Sequence, residues 1–337
     1  MANKILAYSS SPHVKSPRTT RAIMIDVCIA LLPACVMGIV YFGLKALLLL
    51  ALALISAVAS EFIYLLIVGK KFKEILRGFD FTSCVTGLLI GMSIGINYPW
   101  YAPIFGSVFA IIVVKMIFGG TGKNLVNPAV TGRIFIFISF QAVVSAWVIP
   151  TTLVQTGATV LTGNDEIIGV LGGKVPTISN LDLLLGVGVA GCIGETCKLA
   201  LIVGGIYLVA RRVINGIYPI IYVAVAGLFS VILNGLNFAT YTLDFSIFLP
   251  SILSGGLILG AIFMATDYTT TPNTTLGNVI YFIALGLVTA GLRYATGMET
   301  VSFAILLMNL FVPLIDKFII NRPFGSQKTK SAKGGKK

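Results

Sequence analysis

Residues 149–182, IPTTLVQTGATVLTGNDEIIGVLGGKVPTISNLD, are the one long polar interval in a chain otherwise dense in apolar runs. Thr, Gly, Asn and Asp stand here where the flanking sequence carries Leu, Ile, Val and Phe. The number of times the chain crosses a bilayer before this interval decides which side it faces. That number also sets how the two flanking halves are related.

Composition assigns the class. Of the 337 residues, 57% are hydrophobic and only 11% charged, and the mean hydropathy is +0.97; a soluble domain carries about 25% charged residues. The chain reads as an integral membrane protein forming one bundle in the lipid bilayer. Its net charge of +12 does not point to nucleic acid, because the basic residues sit between apolar runs instead of on one polar face. The opening MANKILAYSSSPHVKSPRTTRAIMIDV has no apolar core before Arg21 and no small-residue cleavage site after the run that follows, which argues against a cleaved signal peptide. Cys28, Cys35, Cys84, Cys192 and Cys197 form no CxxC pair, and His13 is the only histidine. No metal or iron–sulfur site is expected from this chain alone.

A helix needs about 20 apolar residues to cross the hydrocarbon core, and about ten stretches qualify. They cover 23–42, 44–68, 81–96, 101–118, 128–148, 183–209, 214–233, 246–264, 276–292 and 300–320. The break at Asn97-Tyr98-Pro99-Trp100 leaves the third and fourth short. With a cytoplasmic N-terminus, one side receives Lys4, Lys15, Arg18 and Arg21, then Lys70, Lys71, Lys73 and Arg77, then Lys123, Arg211, Arg212, Lys317, Arg322 and the KTKSAKGGKK tail. The other side receives Lys45, Lys174 and Arg293. This is the positive-inside pattern, and it places both termini in the cytoplasm and 149–182 outside.

An odd number of spans in each half is the arithmetic of an inverted repeat. The expected fold is an all-α integral membrane protein with about ten transmembrane helices, arranged as two inverted five-helix halves with broken or re-entrant helices. Its divisions are a cytoplasmic segment 1–22, a first membrane half 23–148, the extracytoplasmic loop 149–182, a second half 183–320 and a basic cytoplasmic tail 321–337. Asn127-Pro128-Ala129-Val130-Thr131-Gly132 has a counterpart in Thr271-Pro272-Asn273-Thr274-Thr275-Leu276-Gly277, and both strings read as broken helix starts. Polar, proline-containing backbone survives at membrane depth only where protein or a cavity surrounds it.

Other features have plainer readings. Gly87, Gly91 and Gly95 form a small-residue stripe for close helix packing, and Gly188, Gly191 and Gly194 read similarly. Glu195 and Lys198, spaced i, i+3, are open to two readings, a neutral pair or part of an ion or electron path. Glu61 has no local partner and reads as snorkelling towards Lys70 or lining a cation path, Asp26 as interfacial beside Arg21, and Cys192 and Cys197 as buried apolar groups.

Five strings, in order along nearly the whole chain, resemble the D subunits of Rnf electron-transport complexes, the RnfD family. They are SSSPHVKSPRTTRAIMIDVCIALLPA, FGGTGKNLVNPAVTGR, LDLLLGVGVAGCIGETCKLALIVGGIYL, GAIFMATDYTTTPNT and FAILLMNLFVPLIDKF. That family is itself similar to the B subunit of the sodium-pumping NADH:quinone reductase. The resemblance implies a protein of the bacterial inner membrane, in a complex with A, B, C, E and G subunits that passes electrons between ferredoxin and NAD and couples this to Na⁺ or H⁺ movement. It further implies FMN joined through its phosphate to the last Thr of an S/T-G-A-T motif. Here that motif is Thr156-Gly157-Ala158-Thr159, with Thr159 the acceptor and Thr156 second in rank.

The motif's chemistry is coherent, since a flavin transferase must bring a hydroxyl to phosphorus and small neighbours leave room for it. Leu153 and Val160-Leu161 depart from the acidic residue and Pro-Leu usual at those places in the family. A second, non-covalent flavin, riboflavin or FMN, is expected from the resemblance, with Asn127 and Pro128 as candidate binding residues beside a helix start offering free N–H groups. No nucleophile with a base, P-loop or nicotinamide fingerprint is present, so catalytic residues are not expected here and NAD and ferredoxin fall to partner subunits. The rival reading is a channel or carrier for a small polar solute, since urea-channel folds resemble this architecture; a third is a scaffold that only holds other subunits.

Overall fold

In a computed structural model the described residues are 18–141, 147–150, 155–156, 179–237 and 244–320. Their regular secondary structure is almost entirely helical. The helices are α1 (Thr20–Phe42), α2 (Leu44–Ile67), α3 (Phe72–Gly78), α4 (Thr82–Met92), α5 (Ala102–Val108) continuing as a π-helix (Phe109–Met116), and α6 (Pro128–Ser139). After a two-residue hairpin of β1 (Trp147–Val148) and β2 (Gln155–Thr156) come α7 (Asn180–Leu185), α8 (Lys198–Ala210), α9 (Ile217–Asn237), α10 (Phe248–Leu253), α11 (Leu257–Leu259) running into a π-helix (Gly260–Met264), α12 (Thr275–Thr296) and α13 (Val301–Phe318).

Five of these helices, α1, α2, α9, α12 and α13, are long and apolar enough to cross a bilayer, and two bent pairs raise the number to seven. The bent pairs turn by 72° between α3 and α4 and by 67° between α10 and α11. Each stretch expected to span contains at least one apolar helix, but several are shorter than the hydropathy suggests. The helix expected over 128–148 ends at Ser139 after 12 residues, about 18 Å of rise. The one expected over 183–209 is interrupted: α7 stops at Gly186, whose φ of +82° only glycine adopts freely, and α8 starts at Lys198. The span expected over 246–264 breaks at residues 254–256.

Small residues set the packing. A Cβ on Gly87 would come within 2.8 Å of the Ala53 carbonyl oxygen, and one on Gly91 within 3.1 Å of Leu50, so the expected stripe does hold α4 against α2. Gly95 lies past the end of α4 in a non-helical segment and takes no part in that seam. The Gly188, Gly191 and Gly194 series is also no helix stripe; it belongs to the non-helical stretch between α7 and α8. That stretch is stitched to the end of α4 and the segment after it, with Ile193 N–H donating to Ile94 O at 3.0 Å and Gly194 N–H to Met92 O at 2.7 Å.

A close helix crossing joins α1 to α8. A Cβ on Gly204 would sit 2.1 Å from the Ala30 carbonyl oxygen, which backbone alone cannot relieve. Gly204→Val is expected to destabilise the protein by about 1–3 kcal/mol or more through overpacking. Gly291→Ala on α12, where a Cβ meets nothing within 4 Å, is the neutral control; thermal unfolding in detergent checks both. On the far side, α9 packs on α12 through the buried Tyr222–Thr289 hydroxyl pair at 2.8 Å and the stacked rings of Tyr218 and Phe282. Side chains such as Leu44, Ile67, Ile206 and Ile220 project outward from this core and form the lipid-facing surface.

Candidate functional site

Two polar strings from opposite ends of the sequence meet between the helices. Asn127 caps α6: its carboxamide oxygen accepts from Ala129 N at 2.9 Å and Val130 N at 3.5 Å, and its NH₂ donates to the carbonyl of Met264 at 3.0 Å. Asn309 of α13 lies behind it and is fully buried. With its amide turned to satisfy its neighbours, its NH₂ donates to Tyr281 Oη at 2.9 Å and Thr270 O at 3.2 Å, and its oxygen accepts from Asn127 N at 3.2 Å. Asn127, tied in this way to Met264 and Asn309, lines a cleft.

The cleft encloses about 90 Å³ and is lined by Thr82, Thr86, Lys115, Asn124, Asn127 and Asp267, among others. This is room for several waters, each needing about 10–15 Å³. Asn124 Oδ1 is buried without a partner among the described residues. Lys115 comes from the π-helical stretch, where a wider turn sets a residue out of α register. Its ammonium donates to Glu61 Oε1 at 2.9 Å and to Thr82 Oγ1 at 2.5 Å. Thr82 in turn donates to Asp80 at 2.6 Å, and Thr121 to the other Asp80 oxygen at 2.7 Å. Asp267 is held by its own turn, accepting from Thr269 Oγ1 at 2.8 Å and Thr270 Oγ1 at 3.3 Å.

A second buried polar cluster surrounds the break between α10 and α11. Glu195 Oε1 accepts from Cys192 N at 2.8 Å, while Glu195 Oε2 and Arg133 Nη1 are buried without partners among the described residues. A Cβ on Gly256 would lie 2.8 Å from the first and 3.2 Å from the second. Arg293 pairs with Glu299 at 2.9 Å and donates to Ser251 O at 3.0 Å and Ser254 O at 3.3 Å.

The sequence expectations fare unevenly against this geometry. Asn127 and Pro128 do line the cleft, but the N–H groups expected to be free at this helix start are taken by Asn127 itself. The matching string at 271–277 opens the full-length α12, capped by Thr274, instead of a broken helix. Glu195 and Lys198 do not pair: Glu195 precedes α8, so helical i, i+3 spacing does not apply, and the buried Lys198 ammonium reaches only Thr196 O at 3.5 Å among the described residues. Glu61 has a partner after all in Lys115, 54 residues away. Asp26 bonds to Arg211 and Tyr207 of the α8 end, not Arg21. Arg293 is 1% exposed and serves the interior, not a surface loop. Cys192 and Cys197 are buried, as expected.

Sequence reasoning missed Lys115, Arg133 and Asn309. A lysine inside the apolar run 101–118 was the signal available for the first, since a charge at membrane depth demands a partner. Thr156 pairs through its backbone with Trp147, and the Trp147 ring lies beside Gly95. Gly157, Ala158 and Thr159 lie outside the described residues.

Comparison with known proteins agrees across almost the whole chain. The NQR2, RnfD, RnfE family profile matches residues 7–325. The D subunit of the Na(+)-translocating ferredoxin:NAD(+) oxidoreductase complex of Acetobacterium woodii is 40% identical, with 96% of this chain and 97% of that protein covered. The D subunit of the proton-translocating ferredoxin:NAD(+) oxidoreductase complex of Clostridium ljungdahlii is 34% identical, with 96% and 97% covered. The D subunit of the ion-translocating oxidoreductase complex of Stutzerimonas stutzeri is 31% identical, with 90% and 91% covered.

Proposed function

The chain belongs to the NQR2, RnfD, RnfE family, and from that premise we propose that it is the D subunit of an ion-translocating ferredoxin:NAD⁺ oxidoreductase, working in the inner membrane with A, B, C, E and G subunits. Its part is to carry an electron relay, FMN esterified through phosphate to Thr159 by a flavin transferase, on the extracytoplasmic side. The observation that carries this reading is the full-length likeness to RnfD proteins, combined with a TGAT tetrapeptide in the one long polar interval. The positive-inside distribution of Lys and Arg supports an outward-facing interval and cytoplasmic termini. The first motif residue, Thr156, is tied to the bundle by its pairing with Trp147, so the motif begins at the framework.

When bound, the flavin supplies one- and two-electron transfer, and the protein positions and tunes it. The chain's own contribution is a hydroxyl at Thr159 with small neighbours, Gly157 and Ala158, that leave phosphorus accessible. For the second flavin, the donor Lys115 and the orphaned acceptor Asn124 Oδ1 beside Asn127 and Pro128 suit the polar edge of the ring system. The enclosed 90 Å³ admits such an edge but not a whole tricycle, since ligand pockets run to about 300 Å³ and more. Ferredoxin and NAD are bound by partner subunits.

Mass spectrometry of the tryptic peptide containing Thr159, from protein made alongside the transferase, tests the reading. An FMN adduct on Thr159 supports it; an unmodified peptide in protein that sustains electron transfer overturns it in favour of the scaffold, and in protein that conducts a solute, in favour of the channel.

A further inference from the structure

An apolar groove of about 700 Å³ runs along the lipid-facing side of the second half, between α8, α9 and α10. Its walls are aliphatic and aromatic, including Ile206, Ile220, Val223, Phe248 and Ile252, and its width comes from Gly205, Gly216 and Ala224. Ile206 and Ile220 stand 64% and 68% exposed at its mouth, so the groove opens sideways towards the membrane instead of into the protein. At one end Ala210, Ile214 and Gly216 line it, and the turn between them carries Arg211 and Arg212.

The two arginines differ. Arg211 is engaged by Asp26, at 3.3 Å. Arg212 is exposed, has a left-handed backbone at φ +54°, and has no acidic partner within 4 Å among the described residues. An uncompensated cation at the rim of a long apolar channel matches one kind of molecule, with a negative head at the interface and a hydrocarbon tail reaching inwards. Basic sites between transmembrane helices on the cytoplasmic side select anionic head groups, and a tail gains from each methylene it hides. We propose that this groove is a binding site for one anionic phospholipid of the inner leaflet, its acyl chain along α8 and α9 and its phosphate at Arg212.

The site shares no residue with the Thr159 motif, and only its assignment to the inner leaflet rests on the orientation proposed above. The full chain, purified in a neutral detergent, is titrated with phosphatidylglycerol and separately with phosphatidylcholine, and bound lipid is counted by native mass spectrometry. One phosphatidylglycerol per chain is expected, retained about fivefold better than phosphatidylcholine, the preference one interfacial arginine supplies. Arg212→Ala should bring the two lipids level, and Ala224→Phe, which fills the groove without touching the charge, should weaken both. Equal retention of the two lipids by the unaltered protein overturns the proposal, as does a preference that survives Arg212→Ala. So does an Ala224→Phe chain that keeps its lipid but no longer co-purifies with its partner subunits, since the groove would then house a partner's helix.

Discussion

Thr159→Val is expected to abolish the fluorescent band that the denatured polypeptide shows under ultraviolet light, and with it electron transfer through the assembled complex. Valine matches threonine in shape and differs by the hydroxyl alone, so the substitution removes the only atom through which a phosphoester can form. Thr159→Ser keeps the hydroxyl and should keep at least part of the flavin. Thr156→Val, three residues earlier, should leave the band intact, because Thr159 is the acceptor. The decisive readouts are in-gel fluorescence and ferredoxin-dependent NAD reduction by the complex. A band of undiminished intensity in Thr159→Val, or its loss in Thr156→Val alone, moves the attachment elsewhere; undiminished electron transfer in Thr159→Val removes the redox role.

The second large effect concerns the ion pair beneath the cleft. Lys115 and Glu61 are almost wholly buried, with side chains 2% and 9% exposed, and Glu61 Oε2 already lacks a partner among the described residues. Lys115→Met leaves a carboxylate in apolar surroundings with no cation, and a buried pair broken in this way costs about 3–5 kcal/mol. The double variant Lys115→Met, Glu61→Gln removes both charges and should recover most of that loss, because the cost of the single change lies in the orphaned charge and not in the missing attraction. Unfolding in mixed micelles, read as a double-mutant cycle, measures it. A single variant within about 1 kcal/mol of the parent would mean that water reaches Glu61 and that the pair is no more than a surface contact.

The class of fold and the longest helices were legible because both rest on averages. Nothing but a membrane protein sustains 57% hydrophobic residues over 337 positions, and α1, α2, α9, α12 and α13 each have enough apolar length to announce themselves. Broken helices were expected, but the positions of the breaks at 79–81, 186–197 and 254–256 were not legible, because hydropathy weighs side chains and is blind to backbone. The stretch from Gly186 to Cys197 is apolar enough to pass for part of a span, and Gly188, Gly191 and Gly194 read as a packing stripe, whereas Gly186 and Gly188 have the positive φ of an interrupted backbone.

Charge partners were hidden for a different reason. Local spacing suggests only neighbours, whereas Glu61 meets Lys115 across 54 positions and Asp26 meets Arg211 across 185. A buried charge does announce that a partner exists, but folding alone decides which. The cleft was half legible: Asn127 and Pro128 stood out as polar backbone in an apolar setting, and only the packing of the helices showed that Asn309, from the last helix, bonds to Asn127 from behind.

The π-helical turns before each polar string have a consequence for comparing related chains. Ile117 N–H reaches back five residues to Ile112 O, and Ala265 N–H five residues to Gly260 O, so each turn stores one residue more than an α ladder would take up. Removing a single residue there would close the turn to an α ladder and leave the helix downstream in nearly its old phase, whereas the same removal from an α-helical stretch would rotate all that follows by about 100°, the angular step of one residue. A relative whose sequence shows a one-residue gap across 109–116 can therefore keep the rest of the span in place and lose only the bulge that sets Lys115 out of α register.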